Sequence, residues 1–162
     1  GNPLRLRRAL EAGVRVVVAH CASSGEYPDQ ESPSRPMRPA FELFMRLMDS
    51  PQYRQQLYGE ISAVTLFNRV GVALRTLLER TDLHHRLIHG SDYPLPAIDP
   101  LIQTWQLVAA GLLPSDLRAP AAELFNENPL LFDVVVKRMV CLDSQLQTRF
   151  PTTVFGGLPQ WR

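Results

Sequence analysis

The stretch Leu87-Ile-His-Gly-Ser-Asp-Tyr-Pro94 decides how the rest of this chain is interpreted. A short apolar run enters it, and Pro94 and Pro96 prevent a strand or a helix from continuing beyond it. Asp92 therefore stands where a short strand ends. A carboxylate at the carboxyl end of a strand is how α/β enzymes present a catalytic or metal-binding group. An aspartate at that point also caps turns, so the neighbouring sequence has to distinguish the two roles.

The composition is that of one globular domain. The chain has 162 residues, of which 45% are hydrophobic and 20% charged, which is enough for one ordinary core. The net charge of +1 gives no basis for binding nucleic acid or an anionic membrane, and the apolar runs are too short to span a bilayer. Cys21 and Cys141 form neither a disulfide framework nor a CxxC metal pair. We therefore expect a reducing, cytoplasmic compartment.

Apolar periodicity along the chain alternates between helical and extended patterns. Strands are predicted at Val14–His20, Leu57–Ala63 and Arg86–Gly90. Helices are predicted from Pro3 to Gly13, and at Pro39–Asp49, Arg69–Arg80, Asp99–Ala110, Ser115–Phe125 and Pro129–Val140. This alternation predicts an α/β fold with a parallel sheet covered by helices.

Several segments carry more specific expectations. The first strand is β-branched and almost continuously apolar, which predicts burial on both faces. Residues 21–39 are rich in Ser, Gly, Pro and charge, and are expected to form either a functional loop or a mobile insertion. The segment Thr81–His85 is predicted to be a loop, with His84 and His85 on the surface. Val72 is expected to face the sheet from its helix.

Polar side chains end all three predicted strands. Alternation along each strand makes His20, Glu60 and Asp92 candidates for one site, since neighbouring parallel strands lie about 4.8 Å apart. Such a trio suits metal-bound-water chemistry or general acid–base chemistry. The alternative is a histidine held by a backbone carbonyl and an aspartate capping a turn. Alternation also makes Cys21 a core residue rather than a nucleophile, and turns His89 away from Asp92 to pack under a helix.

Four segments together resemble the C-terminal part of an amidohydrolase-superfamily TIM barrel. The nearest group comprises metal-dependent hydrolases that include decarboxylases acting on aromatic acids. The matching segments are Val16–Gly25, Gly59–Ala63, His89–Pro94 and Asn128–Asp133. The resemblance implies about three β/α units of a (β/α)8 barrel, the sixth to the eighth, with extra C-terminal helices. Residues 1–140 would form this partial barrel, and residues 141–162 a tail packed on it.

The resemblance also implies roles for individual residues. Asp92 would bind a divalent metal ion, zinc or alternatively manganese, and act as the general base. His20 would be a second metal ligand that polarises the substrate or the water. Glu60 has no role implied by the family and remains a catalytic candidate from its strand position alone. The family's His-x-His pair is absent, so we expect the remaining ligands before Gly1 in a longer parent that acts on a small molecule.

Two functions remain open on these grounds. The first is a fragment of a metal-dependent hydrolase, in which metal-activated water attacks a C–N or C–O bond or a related decarboxylation occurs. The second is a non-catalytic, truncated half-barrel that pairs its open sheet edges with another copy or another chain. A phosphate-binding barrel enzyme is disfavoured because no Gly-rich loop precedes a helix in the required way.

Overall fold

A computed structural model describes residues 1–99, 101–142 and 148–157 of the chain. The strands in these ranges are β1 (Val16–Val18), β2 (Glu26–Pro28), β3 (Met37–Pro39), β4 (Leu57–Glu60) and β5 (Leu87–Ile88). Strands β1, β4 and β5 form one parallel sheet in that spatial order. The predicted parallel sheet and the order of its strands are therefore confirmed, although each strand is shorter than predicted. The sheet is open, with β1 and β5 as its edges among the described residues.

Helices connect and cover these strands. The α-helices of the described residues are α1 (Arg7–Glu11), α2 (Ala40–Asp49), α3 (Val72–Glu79), α4 (Thr104–Ala109), α5 (Arg118–Glu127) and α6 (Pro129–Met139). Two starts follow the expected capping chemistry, since the side chains of Asn2 and Asn128 accept hydrogen bonds from the backbone N–H of Leu4 and Leu131. Each asparagine is followed by a proline at the first helical position. None of these helices combines the length and apolar character needed to cross a membrane.

The core lies between the sheet and α2. Gly59 of β4 pairs with Val18 on one side and Leu87 on the other. A Cβ atom at Gly59 would lie 2.6 Å from Cys21 Sγ and 3.1 Å from Phe44 Cζ. Glycine therefore lets helix α2, which carries Phe44, approach the middle strand.

The opposite face of β1 is uncovered. Val17 pairs with Tyr58, and residues paired across parallel strands lie on the same face as each other. Val17 is 38% exposed, and Val14 is also exposed. The prediction that the first strand is buried on both faces is wrong, because β1 is an edge strand and only its α2 face is covered.

The polar segment between β1 and α2 contains regular structure. Strands β2 and β3 pair antiparallel, so these residues are neither a bare turn nor wholly irregular. Arg46 of α2 forms two parallel hydrogen bonds to the buried carboxylate of Asp29, at 3.0 and 2.9 Å. This bidentate pair ties the hairpin to the helix.

Helix α3 and the segment after it differ from the sequence predictions in several places. Val72 is 79% exposed, so its predicted inward position is wrong: it is the first residue of α3 and lies outside the helix's apolar stripe. Residues Thr81–Arg86 form a 3-10 helix rather than a loop. His84 is buried there and its Nε2 contacts the carbonyl of Leu77 at 2.9 Å, whereas His85 is exposed as predicted.

The described part of the tail contacts the core. Phe150 and Val154 are fully buried. Residues 152–155 form a 3-10 helix, and His89 stacks on Phe155 of that helix at 5.1 Å between ring centroids. The predicted packing of His89 under a helix is thereby confirmed. Trp161 and residues 143–147 of the predicted tail lie outside the described residues.

Candidate active site

Left-handed backbone follows all three strands of the parallel sheet. His20, Cys21 and Ala22 after β1 have φ values of 56°, 48° and 51°. Ala63 after β4 has a φ of 54°, and Asp92 after β5 a φ of 55°. Each such residue costs about 1–2 kcal/mol when it is not glycine. Strained backbone of this kind clusters at functional sites, so the carboxyl edge of this sheet is the candidate location of a functional site.

The three predicted residues meet at this edge. His20 Nε2 lies 3.6 Å from Asp92 Oδ2, and His20 Nδ1 lies 3.8 Å from Glu60 Oε2. All three side chains remain partly accessible to solvent. The convergence of His20, Glu60 and Asp92 is therefore confirmed.

The route by which His20 reaches the site differs from the predicted one. Strict alternation would place His20 on the face of Val16 and Val18, which packs toward α2. Glu60 lies on the opposite face, because the preceding residue, Gly59, pairs with Val18 and successive residues alternate between faces. The strand instead ends at Val18, and the left-handed turn at Ala19–Ala22 redirects the His20 side chain toward Glu60.

Glu60 and Ser62 hold the imidazole of His20 from one side. The Glu60 carboxylate accepts hydrogen bonds from the backbone N–H of Ser62 at 2.6 Å and of His20 at 3.3 Å. The Ser62 hydroxyl donates to the same carboxylate and lies 2.6 Å from His20 Nδ1. Because its proton is directed to Glu60, the hydroxyl accepts from Nδ1–H.

In the neutral tautomer that carries its proton on Nδ1, His20 Nε2 presents a lone pair to the Asp92 carboxylate. Two electron-rich groups 3.6 Å apart repel unless a cation or a proton lies between them. Histidines that bind metals are typically oriented by a hydrogen bond from their other nitrogen to a carboxylate, a carbonyl or water. The bonds around Nδ1 orient the His20 ring in the same way.

A divalent metal fits two of these donors. Two ligands of a tetrahedral zinc ion, each about 2.0–2.1 Å from it, lie about 3.3 Å from each other, close to the separation of His20 Nε2 and Asp92 Oδ2. Glu60 faces the other ring nitrogen and orients the ring instead. No group of three or more His, Cys, Asp or Glu side chains in the described ranges is arranged to hold a metal ion. Two donors alone are too few for a zinc site, which needs at least one more protein ligand.

Two nucleophile alternatives do not fit the geometry. Ser62, His20 and Asp92 have the composition of a catalytic triad, but Ser62 is only 1% exposed and cannot reach a substrate. Cys21 is fully buried in the core beside α2, as predicted, and burial together with the Glu60 charge raises the pKa of its thiol. A thiol in this environment is inert.

An open groove of about 600 Å³ adjoins the site along β1. Val17, Ala19, His20 and Arg69 contribute to its walls. Arg69 donates to the hydroxyl of Ser23 at 3.4 Å, while its buried Nε has no hydrogen-bond partner among the described residues. The groove thus places a guanidinium near His20.

A buried charge pair behind the site was missed as a functional feature. Asp133 and Lys137 lie one turn apart on α6, with Nζ and Oδ2 at 2.7 Å, and Lys137 Nζ also donates to the carbonyl of Gly90 at 2.9 Å. Burial raises the pKa of Asp133 and lowers that of Lys137. The sequence carried a signal for it, because Asp133 and Lys137 are opposite charges four residues apart in a largely apolar helix.

Comparison with known proteins adds no further assignment. No protein-family model, curated protein or solved structure matches the chain. Membership of the amidohydrolase superfamily therefore stays a prediction made from the sequence motifs.

Proposed function

We propose that this chain supplies part of the active site of a metal-dependent hydrolase of the amidohydrolase type. One observation supports this proposal above the others. His20 Nε2 lies 3.6 Å from the Asp92 carboxylate, with Nδ1 already held by Ser62 beside Glu60. A divalent cation satisfies both groups at once.

The residues of the site divide the chemistry between them. A divalent ion, zinc or alternatively manganese, supplies Lewis acidity and lowers the pKa of a water molecule when it is bound at such a site. His20 holds the ion through Nε2, and Glu60 with Ser62 fixes the orientation of its ring. The Asp92 carboxylate would lie beside His20 and accept the proton of the water whose oxygen bonds to the substrate carbon, and it would return that proton to the nitrogen or oxygen that departs as the C–N or C–O bond breaks.

The substrate and the remaining ligands are part of the same proposal. The groove along β1 accommodates a small molecule, and Arg69 binds an anionic group on it. A metal ion at this site needs at least one further ligand besides His20 and Asp92. Decarboxylation at the same site is the other reaction that the resemblance includes, and the cytoplasm is the expected compartment.

Metal titration of the 162-residue chain tests the proposal. Because the described residues supply only two donors, we expect Zn²⁺ or Mn²⁺ to bind weakly at one site in calorimetry, and Asp92→Asn and His20→Ala each to weaken that binding further, by about tenfold or more. His85→Ala and Asp116→Asn are matched controls, since both residues are exposed. Equal affinity in the site variants and the controls would refute the assignment. In a full-length parent, full turnover by Asp92→Asn would remove the base role of Asp92.

A second candidate function rests on the uncovered edge of the sheet. Val17 of β1 is exposed and lines the groove, Val14 just before the strand is exposed as well, and an edge strand with apolar side chains is a template for pairing. In this alternative the chain is non-catalytic and associates with a second copy of itself. Sedimentation would then show a dimer that Val17→Lys dissociates and Val72→Lys, an exposed control on α3, does not. A monomer that binds metal favours the hydrolase instead.

A further inference from the structure

Helix α6 buries two charged residues on the face that it turns to the core. Lys137 is completely buried and Asp133 almost so, and the two form an ion pair at 2.7 Å. Replacing a buried ion pair by apolar residues of similar volume is often neutral or stabilising. Stability alone therefore does not account for this pair.

The second contact of Lys137 connects the pair to the candidate site. Its ammonium group donates to the carbonyl of Gly90 at 2.9 Å, two residues before Asp92. Gly90 also lies against the Glu60 side chain, since a Cβ atom at this position would be 2.1 Å from Oε1. The Lys137 ammonium group thus holds the backbone at Gly90, which lies against Glu60 and leads into Asp92.

This segment has few other anchors. The β5 ladder ends at Ile88, and His89 donates its backbone N–H to the carbonyl of Val154 at 2.8 Å. Asp92 then adopts a left-handed conformation, with φ at 55°. The direction in which the Asp92 carboxylate points therefore depends on how the preceding backbone is held.

We propose that Lys137, itself held by Asp133, is a positioning residue for Asp92. Its ammonium group fixes the Gly90 carbonyl and so aims the following turn, with the Asp92 carboxylate, at His20. This role rests on the proposed metal site, because it matters only where the distance between Asp92 and His20 is important. The pair touches the backbone behind the site and is not itself catalytic.

The test removes the charges while keeping the helix packed. The double variant Asp133→Leu/Lys137→Met replaces the ion pair by apolar side chains, and Asp133→Val/Lys137→Leu is a second variant that also lacks a hydrogen-bond donor. Phe132→Leu is the control, since it perturbs another buried residue of α6 without contacting Gly90 through a charge. Each chain is compared with the wild type in thermal unfolding, in Zn²⁺ titration and in amide hydrogen exchange at His89 and Leu95, whose N–H groups donate to the carbonyls of Val154 and Asp92 on either side of the segment.

We expect both double variants to fold, to bind Zn²⁺ about 10–100-fold more weakly and to exchange these two amides at least about tenfold faster. Phe132→Leu should lower the melting temperature without either effect. A double variant with wild-type exchange at both amides would overturn the inference, and so would unfolding of both double variants. If the wild type binds no metal, the proposed function fails, and the exchange rates still decide whether Lys137 positions the turn.

Discussion

Replacing Gly90 by alanine is the most direct perturbation of the candidate site. The backbone of Gly90 does not have a positive φ, so alanine brings no conformational penalty of its own. The added Cβ atom would lie 2.1 Å from Glu60 Oε1 and 2.7 Å from its Cδ, far inside van der Waals contact. The Glu60 carboxylate must therefore move, although Gly90 itself carries no functional group.

The loss of folding stability in Gly90→Ala follows from the hydrogen bonds that the Glu60 carboxylate loses when it moves. Its carboxylate accepts the backbone N–H groups of Ser62 and His20 at 2.6 and 3.3 Å, and hydrogen bonds to charged groups contribute about 1.5–3 kcal/mol each. Since Glu60 is partly exposed, we take the lower end, which makes about 3 kcal/mol for the two bonds. For a chain of this length that corresponds to a fall in melting temperature of about 6–12 °C.

A double-mutant cycle in urea unfolding measures this coupling. Glu60→Ala removes the atoms with which the new Cβ collides, so Gly90→Ala in that background should be neutral or stabilising by up to about 1 kcal/mol. The interaction energy between the two substitutions is then about 3 kcal/mol. The reasoning is refuted if Gly90→Ala costs less than about 1 kcal/mol in the wild type, or if it costs the same in both backgrounds.

The remaining predictions concern pH dependence and thiol chemistry. Burial, with the charge of Lys137 as a smaller cause, lowers the pKa of His89 from 6.5 to about 4. A lowered histidine pKa stabilises the fold above pH 6.5, and this stability is lost as the pH falls toward 4. The full pKa shift would change the free energy of unfolding by about 3 kcal/mol, and solvent screening of this half-buried ring reduces that change to about 1–2 kcal/mol. In urea unfolding, the free energy of unfolding of His89→Gln should fall less between about pH 7 and pH 4.5 than that of the wild type. An unchanged pH profile in this variant would contradict the lowered pKa of His89. Cys21 and Cys141 are both buried, so an aromatic disulfide reagent should label them slowly in the native chain and quickly in guanidinium, and rapid native labelling would count against the burial.

Local sequence patterns predicted the parts of the fold that depend on local interactions. The helix at Ala40–Asp49 was predicted to within one residue of its start, because its apolar residues recur at helical spacing and pack on one side. The parallel order of the three strands followed from the alternation of strands and helices along the chain. The β2–β3 hairpin was not predicted, because its strands are three residues each and polar, with the side-chain pair between Asp29 and Arg46 helping to hold them.

The candidate site was likewise predicted only in part from local sequence patterns. The residue types and their places at strand ends identified His20, Glu60 and Asp92, but the alternation argument assigned His20 to the wrong face. Its actual direction comes from consecutive left-handed residues, a conformation that non-glycine sequence does not announce. The role of Gly90 as a close-approach position became visible only with Glu60 packed against it.

By itself, the sequence determined that strands with polar ends lie side by side, since periodicity and chain order are properties of neighbouring residues. Only the tertiary structure decided which atoms meet. His20 Nε2 faces Asp92 because Ser62, Glu60 and a strained turn orient the ring, and Lys137 reaches Gly90 from a helix 47 residues away along the chain. Contacts of this kind join residues distant in sequence, and their distances depend on packing that no local pattern encodes.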